Sequence, residues 1–144
     1  MKTWVKIILG LLVVGMVALV LVYVFIYNKS HPDYENIKPD YSLTASELYT
    51  SFTTNRTGSE TKYNGKVLDI NGTLTKVEST DSLVIAVFVF NQGIFGDEGI
   101  RCTMLQKFNE KARKLQPGNL YNIKGYCTGF NDPDVILEKC SIIK

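Results

Sequence analysis

An uncharged apolar run near the N-terminus constrains this chain more than any other feature. Residues 7–27 read IILGLLVVGMVALVLVYVFIY and contain no charged side chain. As a helix, with a rise of about 1.5 Å per residue, such a run is roughly 30 Å long, which matches the hydrocarbon core of a bilayer. The sequence therefore predicts one transmembrane helix, so that residues 1–27 anchor the rest of the chain to a membrane.

The alternative to an anchor is a cleaved signal peptide, because Lys2 and Lys6 supply the positive start that both kinds of segment share. Signal peptides have apolar cores of about 7 to 15 residues and end at small residues that a peptidase can cleave. Here the run is longer, and its end, FIYNK at residues 25–29, is bulky. The sequence favours an uncleaved anchor. Residues 1–27 also lack cysteine, which excludes attachment of a lipid to a cysteine of this segment.

Charges on the two sides of the run predict its orientation. Lys2 and Lys6 precede the run, whereas Lys29 follows it and is diluted by Asp33 and Glu35. Lys and Arg next to a membrane segment tend to stay in the cytoplasm. The balance predicts a single-pass membrane protein whose C-terminal domain is extracytoplasmic, that is, periplasmic.

Residues 28–42, NKSHPDYENIKPDYS, have the composition of an exposed linker, with two prolines, several charges and no apolar period. Residues 43–144 are long enough for one domain with a modest core. Four of the 16 Lys and Arg and three of the 14 Asp and Glu precede residue 43, so the remaining 12 and 11 nearly cancel. This balance argues against a dedicated polyanion-binding domain.

Apolar periodicity within residues 43–144 predicts two helices and five strands. The segment TASE at residues 44–47 has the side chains of a helix capping box, and apolar positions recur at helical spacing to about Arg56. A second helix covers residues 108–115 and ends before a Pro-Gly pair. Alternating patterns and β-branched runs predict strands at residues 62–77, 82–90, 99–104, 120–128 and 135–143.

This order of elements is that of an OB-fold barrel. The predicted fold class is mainly β (α+β), a five-stranded OB-fold barrel with a helix between strands 3 and 4 and an extra N-terminal helix, preceded by one transmembrane helix. An SH3-like barrel is the competitor. The helix after strand 3, together with Gly72, which permits a bend in the first strand, favours the OB fold.

Four segments of the domain form a recognisable set of motifs, KYNGKV at residues 62–67, GTL at 72–74, IKGYCTGF at 123–130 and DVILEKC at 134–140. With these motifs the domain resembles the tRNA_anti-like family of bacterial OB-fold proteins. The resemblance covers residues 44–143 and implies an OB fold in a bacterial envelope protein. It implies no activity and no site for the family as a whole. Many similar proteins look like lipoproteins, whereas this chain has a plain hydrophobic anchor.

Catalytic chemistry lacks candidates in the domain, because the only histidine, His31, lies in the linker. Without an imidazole, Ser/His/Asp and Cys/His arrangements are excluded there. Asp97, Glu98, Asp132 and Asp134 lie in loops and remain an alternative as paired carboxylates or Ca²⁺ ligands, but Asn, Asp and Pro are also the usual residues of turns. The sequence predicts a protein that is not an enzyme and holds no metal or cofactor.

Nucleic acid is disfavoured as a partner, since a binding face needs basic residues interleaved with aromatic ones. Strand 82–90 contains no Lys or Arg, and the third strand supplies only Arg101. The remaining basic residues of this region gather on the second helix, as is typical of a solvated helix face. They are Lys107, Lys111, Arg113 and Lys114.

Three cysteines, Cys102, Cys127 and Cys140, fall on predicted strands without the close spacing of a zinc or redox motif. Strands 3 and 5 are neighbours in an OB barrel, so Cys102 and Cys140 are the pair that is able to form a disulfide in an oxidising compartment. Buried free thiols are an equally good interpretation.

The sequence favours a binding module that presents its loops and one sheet face to an envelope protein, peptide or saccharide. A cytoplasmic domain that binds single-stranded nucleic acid and a structural subunit of a membrane complex are the alternatives. OB folds bind through strands 2 and 3 and the loops after strands 1 and 4. Phe130 is the first candidate, with a lid over the core as its alternative role. The candidates are Ser79, Thr80, Asp81, Phe88 and Phe90 (if either phenylalanine points outward), Phe130, Asn131 and Asp132.

Overall fold

The structure is a computed structural model that describes residues 2–27 and 33–143. It consists of two units, Met1–Pro32 and Asp33–Lys144. The first unit is the helix α1, Thr3–Val22, which continues as a π-helical turn, Tyr23–Tyr27. Its side chains are exposed along the whole helix, and an all-round apolar surface is typical of a membrane span. The helix is long and apolar enough to cross a membrane or to be a signal sequence.

The second unit combines a mixed sheet with short helices, so the fold is α+β. Its elements in chain order are β1 Tyr41–Thr44, α2 Ala45–Thr54, α3 Arg56–Tyr63, β2 Val67–Thr73, β3 Lys76–Ser79, β4 Val84–Gly93, β5 Gly96–Met104, a 3-10 turn Gln106–Phe108, α4 Asn109–Arg113, β6 Leu120–Phe130 and β7 Val135–Ile142.

The strands lie in the order β1-β2-β6-β7-β5-β4-β3. β1 runs parallel to β2, and β5 runs parallel to β7, while the other neighbours are antiparallel. The predicted five-stranded closed barrel is therefore wrong in two respects. The sheet has seven strands, and within residues 33–143 no ladder joins its two edge strands, β1 and β3.

One predicted strand, residues 62–77, accounts for much of this difference. Its first residues belong to the end of α3, and the remainder is divided into β2 and β3. β2 pairs with β6, whereas β3 pairs with β4. Between them the Leu74 N–H donates to Asn119 O and the Thr75 N–H donates to Val87 O. The chain thus leaves one strand partner and joins another within two residues.

Gly72, which the sequence predicts to permit a bend in the strand, also has a packing role at this division. A Cβ atom on Gly72 would lie 2.8 Å from Ala45 Cβ and 3.2 Å from Phe88 Cδ1. Real Cβ atoms essentially never show the first of these distances. Glycine therefore lets α2 and β4 pack directly on the end of β2.

The predicted capping box of α2 is confirmed. The Glu47 N–H donates to Thr44 Oγ1 at 3.1 Å, and the Thr44 N–H donates to the Glu47 carboxylate at 2.8 Å. These hydrogen bonds with the backbone and then the side chain of Thr44 lower the pKa of Glu47. The helix buries Ala45, Leu48 and Phe52 as its apolar spacing indicates. α3 was not predicted, because its sequence, RTGSETKY, has only one large apolar side chain.

The strand predicted at residues 82–90 is confirmed as β4, with the bounds Val84–Gly93, and its first half contributes to the core. Val84, Ala86, Val87 and Phe88 are buried on it. Val84, Ala86 and Phe88 share one face of the sheet with Ile100, Cys102 and Met104 of β5, which are also buried, whereas Val87 lies on the opposite face. The core is completed by side chains of α2, β2, β6 and β7, among them Leu48, Phe52, Leu68, Ile70, Ile123, Cys127, Val135, Leu137 and Cys140.

Part of the predicted linker packs on the second unit. The buried Lys124 ammonium donates to the carbonyl oxygens of Glu35 and of Ile37, the latter at 2.8 Å. The Asp40 N–H donates to Val67 O at 2.8 Å, and the Val67 N–H donates to Asp40 Oδ2 at 2.9 Å. From residue 33 onward the segment is therefore attached to the sheet. Residues 28–32, including His31, lie outside the described residues.

Candidate ligand-binding face

A groove lies between β2 and β4, where the two strands approach each other without a shared ladder among the described residues. Its volume is about 480 Å³, within the range of roughly 300 to 1,000 Å³ that is usual for small-molecule sites. Its walls offer hydroxyl groups, one amide and three apolar side chains. The lining residues are Thr44, Ser46, Asn71, Gly72, Thr73, Thr75, Val89, Phe90 and Leu120. We call this feature the seam groove.

Phe90 gives the seam groove an ordered aromatic surface. Its side chain is 40% exposed, and its ring stacks on that of Tyr49 with centroids 5.3 Å apart and planes 21° apart. Burial, and then the charge of Glu98, raise the pKa of Tyr49. Phe88, two residues earlier on β4, is fully buried in the core. Of the two candidate phenylalanines, only Phe90 points outward.

An ion-pair network covers the outer face of β3 and β5. Arg101 Nη1 lies 2.7 Å from a Glu78 oxygen, and Arg101 Nε lies 2.8 Å from Asp134 Oδ2. Lys76 joins Glu78 at 3.1 Å and Asp97 at 2.9 Å. Burial acts to raise the pKa of Glu78, but hydrogen bonds from Lys76 and Arg101 outweigh it and lower that pKa. Arg101, the single basic residue of the predicted third strand, is committed to carboxylates.

The candidate residues Ser79, Thr80 and Asp81 form the turn between β3 and β4, and Arg113 of α4 holds that turn. Its guanidinium donates to Ser79 Oγ at 3.2 Å, to Thr80 O at 2.9 Å and to Asp81 O at 3.2 Å. Six residues separate Val84, at this end of β4, from Phe90, or about 20 Å of strand. The structure does not bring the turn together with the seam groove.

The four basic residues that were predicted to form a solvated helix face, Lys107, Lys111, Arg113 and Lys114, differ in their contacts. Arg113 contacts the turn and also Glu110, and Lys107 pairs with Glu35. Lys111 and Lys114 are exposed. Two members of the cluster therefore hold the second unit together.

Phe130 lies at the end of β6, packed against the helices. Its ring stacks on Phe52, with centroids 5.9 Å apart, and the Arg56 guanidinium lies 5.3 Å from its centroid. Arg56 also donates to Phe130 O at 3.0 Å. Phe130 is half-buried. In this structure its contacts are those of a side chain that covers the core.

The candidate residues after Phe130 are held in a turn. The Asn131 N–H donates to Asp134 O at 3.0 Å, and the Asp134 N–H donates back to Asn131 Oδ1 at 3.2 Å. Asp132 is exposed, while the buried Asp134 accepts from the Gly99 N–H and from Arg101. Within residues 2–27 and 33–143, no group of three His, Cys, Asp or Glu side chains has the geometry of a metal site.

The three cysteines are buried free thiols. Cys102 and Cys140 lie on the paired strands β5 and β7, where Met104 is the register partner of Cys140. Burial, and then the effect of Cys102, raise the pKa of Cys140 well above its ordinary value. Burial raises the pKa of Cys127 to about 12. The Cys102–Cys140 disulfide stays a prediction.

Sequence reasoning missed the seam groove and the tip of the β4–β5 hairpin. At the tip, Ile94 and Phe95 are 96% and 97% exposed. Below them, Gln92 Nε2 donates to an Asp97 oxygen at 2.7 Å, which stiffens the stem. The signal was present as two large apolar residues between glycines. The groove had no such signal, because its lining comes from distant segments.

Comparisons with known proteins agree on the type of domain. The sequence profile of the tRNA_anti-like family matches residues 1–142, more than the 44–143 that the motifs indicate. A candidate nucleic acid-binding lipoprotein of Klebsiella pneumoniae superimposes with a TM-score of 0.53 at 18% identity, over 72% of this chain and 91% of that one. At this identity the likeness concerns the fold alone.

Two further solved structures have TM-scores too low to support an argument. The Stn1–Ten1 complex of S. pombe gives 0.37 at 12% identity, over 54% of this chain and 58% of that one. A candidate aspartyl-tRNA synthetase of Leishmania major gives 0.48 at 9% identity, over 90% of this chain and 26% of that one. The search of curated proteins gives no match. Because the family profile covers nearly the whole sequence, this chain belongs to the tRNA_anti-like family.

Proposed function

We propose that this chain is a membrane-anchored binding module of a bacterial envelope. Its second unit presents the seam groove and the adjoining sheet face to an envelope protein, a peptide or a saccharide, and it acts without catalysis. The observation that carries this proposal is the ordered, outward-facing Phe90 ring at the edge of a groove. Concave sites with an apolar wall and a few polar groups are typical of ligand binding.

The anchor supports an envelope location. α1 is long and apolar enough to span a membrane, and Lys2 and Lys6 precede its apolar run. By the positive-inside rule, the second unit then lies outside the cytoplasm. A partner is expected among the molecules of that compartment.

Photo-crosslinking in intact cells tests the proposal. Benzoylphenylalanine is placed at Phe90 in one strain and at Leu83 in a control strain, because the two side chains are similarly exposed, at 40% and 42%. Benzophenone attacks C–H bonds, so it captures proteins, peptides and saccharides alike. We expect a mass-shifted adduct at position 90 and none at position 83. Equal labelling at both positions, or no adduct at either, contradicts the proposal.

Binding of single-stranded nucleic acid is the second candidate function. One observation favours it, the fold likeness to a lipoprotein of Klebsiella pneumoniae described as a candidate nucleic acid-binding protein. Against it, Arg101 pairs with Glu78 and Asp134. Fluorescence anisotropy of a labelled oligonucleotide with the full chain in detergent decides between the two. Affinity that falls steeply between about 50 and 200 mM salt, as counterion release requires, supports nucleic-acid binding, and no binding at low salt excludes it.

A further inference from the structure

We propose that the seam groove binds an uncharged oligosaccharide. This inference rests on the proposed function, since it concerns the same groove, and it narrows the ligand to one chemical class. Three features of the groove carry it: the uncharged side chains that the structure describes in its walls, the Phe90 ring supported by Tyr49, and the hydroxyl groups of the same walls.

The first feature is the chemistry of the lining. Every side chain that the structure places around the groove is uncharged. A phosphate chain or a basic peptide would enter without a counter-charge, and burial of an unpaired charge is costly. An uncharged ligand gives up only its hydrogen bonds to water when it enters the groove. The polar groups of the walls then take the place of that water.

The second feature is the Phe90 ring itself. Tyr49 supports one of its faces, so the ring keeps its orientation when the groove is empty. The face of an aromatic ring is negative and its edge positive. The C–H groups on one side of a pyranose carry partial positive charge and pack on such a face. Leu120, which is 63% exposed, extends the apolar wall.

The third feature is the polar wall. Ser46 and Thr73 are exposed, and each hydroxyl both donates and accepts hydrogen bonds. Thr75 Oγ1 accepts from the Val89 N–H at 2.9 Å, which leaves its own hydrogen for donation. Asn71 donates its amide to Asn122, so its orientation is fixed. Sugar hydroxyls, which also donate and accept, match such groups.

An extended peptide fits this location less well. Peptides usually add to a sheet through main-chain hydrogen bonds at an edge strand. The edge strands here are β1 and β3, and of these β1 contributes only its last residue, Thr44, to the groove. The groove lies instead at the junction of β2 and β4.

Saturation-transfer NMR with the full chain in detergent micelles tests the inference. The probes are cellotetraose and tetra-N-acetylchitotetraose, which are both uncharged. We expect transfer to the sugar protons and a Kd that rises at least about tenfold in Phe90→Ala, a loss of about 1.4 kcal/mol. Thr73→Val, which removes one hydroxyl without changing shape, is expected to weaken binding a few-fold. Leu83→Ala, which removes a similarly exposed side chain outside the groove lining, is the matched control and leaves the Kd unchanged.

The outcomes separate the two proposals. Near-ultraviolet circular dichroism shows that each variant is folded before its Kd is compared. Sugar binding that is equal in the native chain and in Phe90→Ala overturns the saccharide inference. So does Phe90-dependent binding of a tetra-alanine peptide without sugar binding, although the proposed function then stands. If neither probe binds and position 90 forms no adduct in cells, both proposals fail.

Discussion

A single guanidinium group, that of Arg113, ties a helix to a turn in the second unit. It donates to one side-chain oxygen and two carbonyl oxygens of Ser79, Thr80 and Asp81. The planar fork of arginine suits such a set of acceptors, whereas a lysine ammonium would reach fewer of them. Analogy with other OB folds assigns the turn at residues 79–81 to ligand binding. In this structure that turn accepts hydrogen bonds from Arg113 of the same chain.

Replacing Arg113 tests this role. In Arg113→Ala we expect the free energy of unfolding to fall by about 1 to 2 kcal/mol, because several hydrogen bonds are lost. Amide exchange of residues 79–83 is expected to become faster. Lys111→Ala on the same helix is the control, since Lys111 is exposed, and it leaves both quantities unchanged. Equal effects of the two variants would contradict the role given to Arg113.

The cysteines give a second prediction at the scale of the residue. Burial raises the pKa values of Cys127 and Cys140, and only the thiolate reacts with disulfide reagents. At pH 8 we expect Cys127 and Cys140 of the native chain not to react with Ellman's reagent, and their reactivity to appear only as the pH rises. A native chain that reacts at pH 8 as fast as free cysteine would contradict the burial. In denaturant without reductant, three reactive thiols mean free cysteines, and one means a single disulfide, which peptide mapping then assigns to Cys102–Cys140 or to another pair.

At the scale of elements, the prediction from the sequence and the observed structure differ most at the junction of α2, β2 and β4. The alternating pattern of residues 62–77 indicates a strand, but it carries no information on where that strand changes partner. From the sequence, Gly72 predicts only a bend in the strand. The residues that a Cβ atom at this position would meet, Ala45 and Phe88, are distant in sequence. Strands 82–90 and 135–143 were predictable because their apolar residues repeat locally.

A methyl group at position 72 is expected to push α2 and β4 away from the end of β2, because it would occupy the space in which they pack. We expect Gly72→Ala to lower the free energy of unfolding by about 1 to 3 kcal/mol, as overpacking does. Part of that loss should be recovered in the double variant Gly72→Ala/Ala45→Gly, because the closest contact, at 2.8 Å, is with Ala45 Cβ. Denaturant unfolding of the four members of the cycle measures the coupling. Simple additivity would show that the clash is relieved elsewhere.

At the scale of the whole molecule, composition and hydropathy were sufficient for the outline and insufficient for the site. The motifs at residues 123–130 and 134–140 pointed to the family that the profile match shows. The apolar run predicted a helix that is long and apolar enough to span a membrane. The seam groove draws on four separate segments of the chain, from Thr44 to Leu120. A single sequence does not reveal such a meeting, and Phe90 alone of the eight candidates lines the groove.

Orientation in the membrane is the prediction that belongs to this scale. With an epitope tag after Lys144, we expect protease to remove the tag once the outer envelope is opened and the inner membrane is still sealed. The reason is that Lys2 and Lys6 hold the N-terminus in the cytoplasm. A cytoplasmic protein with the same tag is the control and must stay intact until detergent is added. Removal of the tag only after detergent would place the second unit inside.

The attachment of residues 33–40 has a mechanical consequence. Any pull transmitted along the chain from the N-terminal side first meets the Lys124 contacts with Glu35 and Ile37, and then the two hydrogen bonds between Asp40 and Val67. Lys124 belongs to β6 and Val67 to β2, which pair with each other. Tension is therefore shared between two strands inside the sheet, and these contacts must break before the pull can peel β1 from its edge.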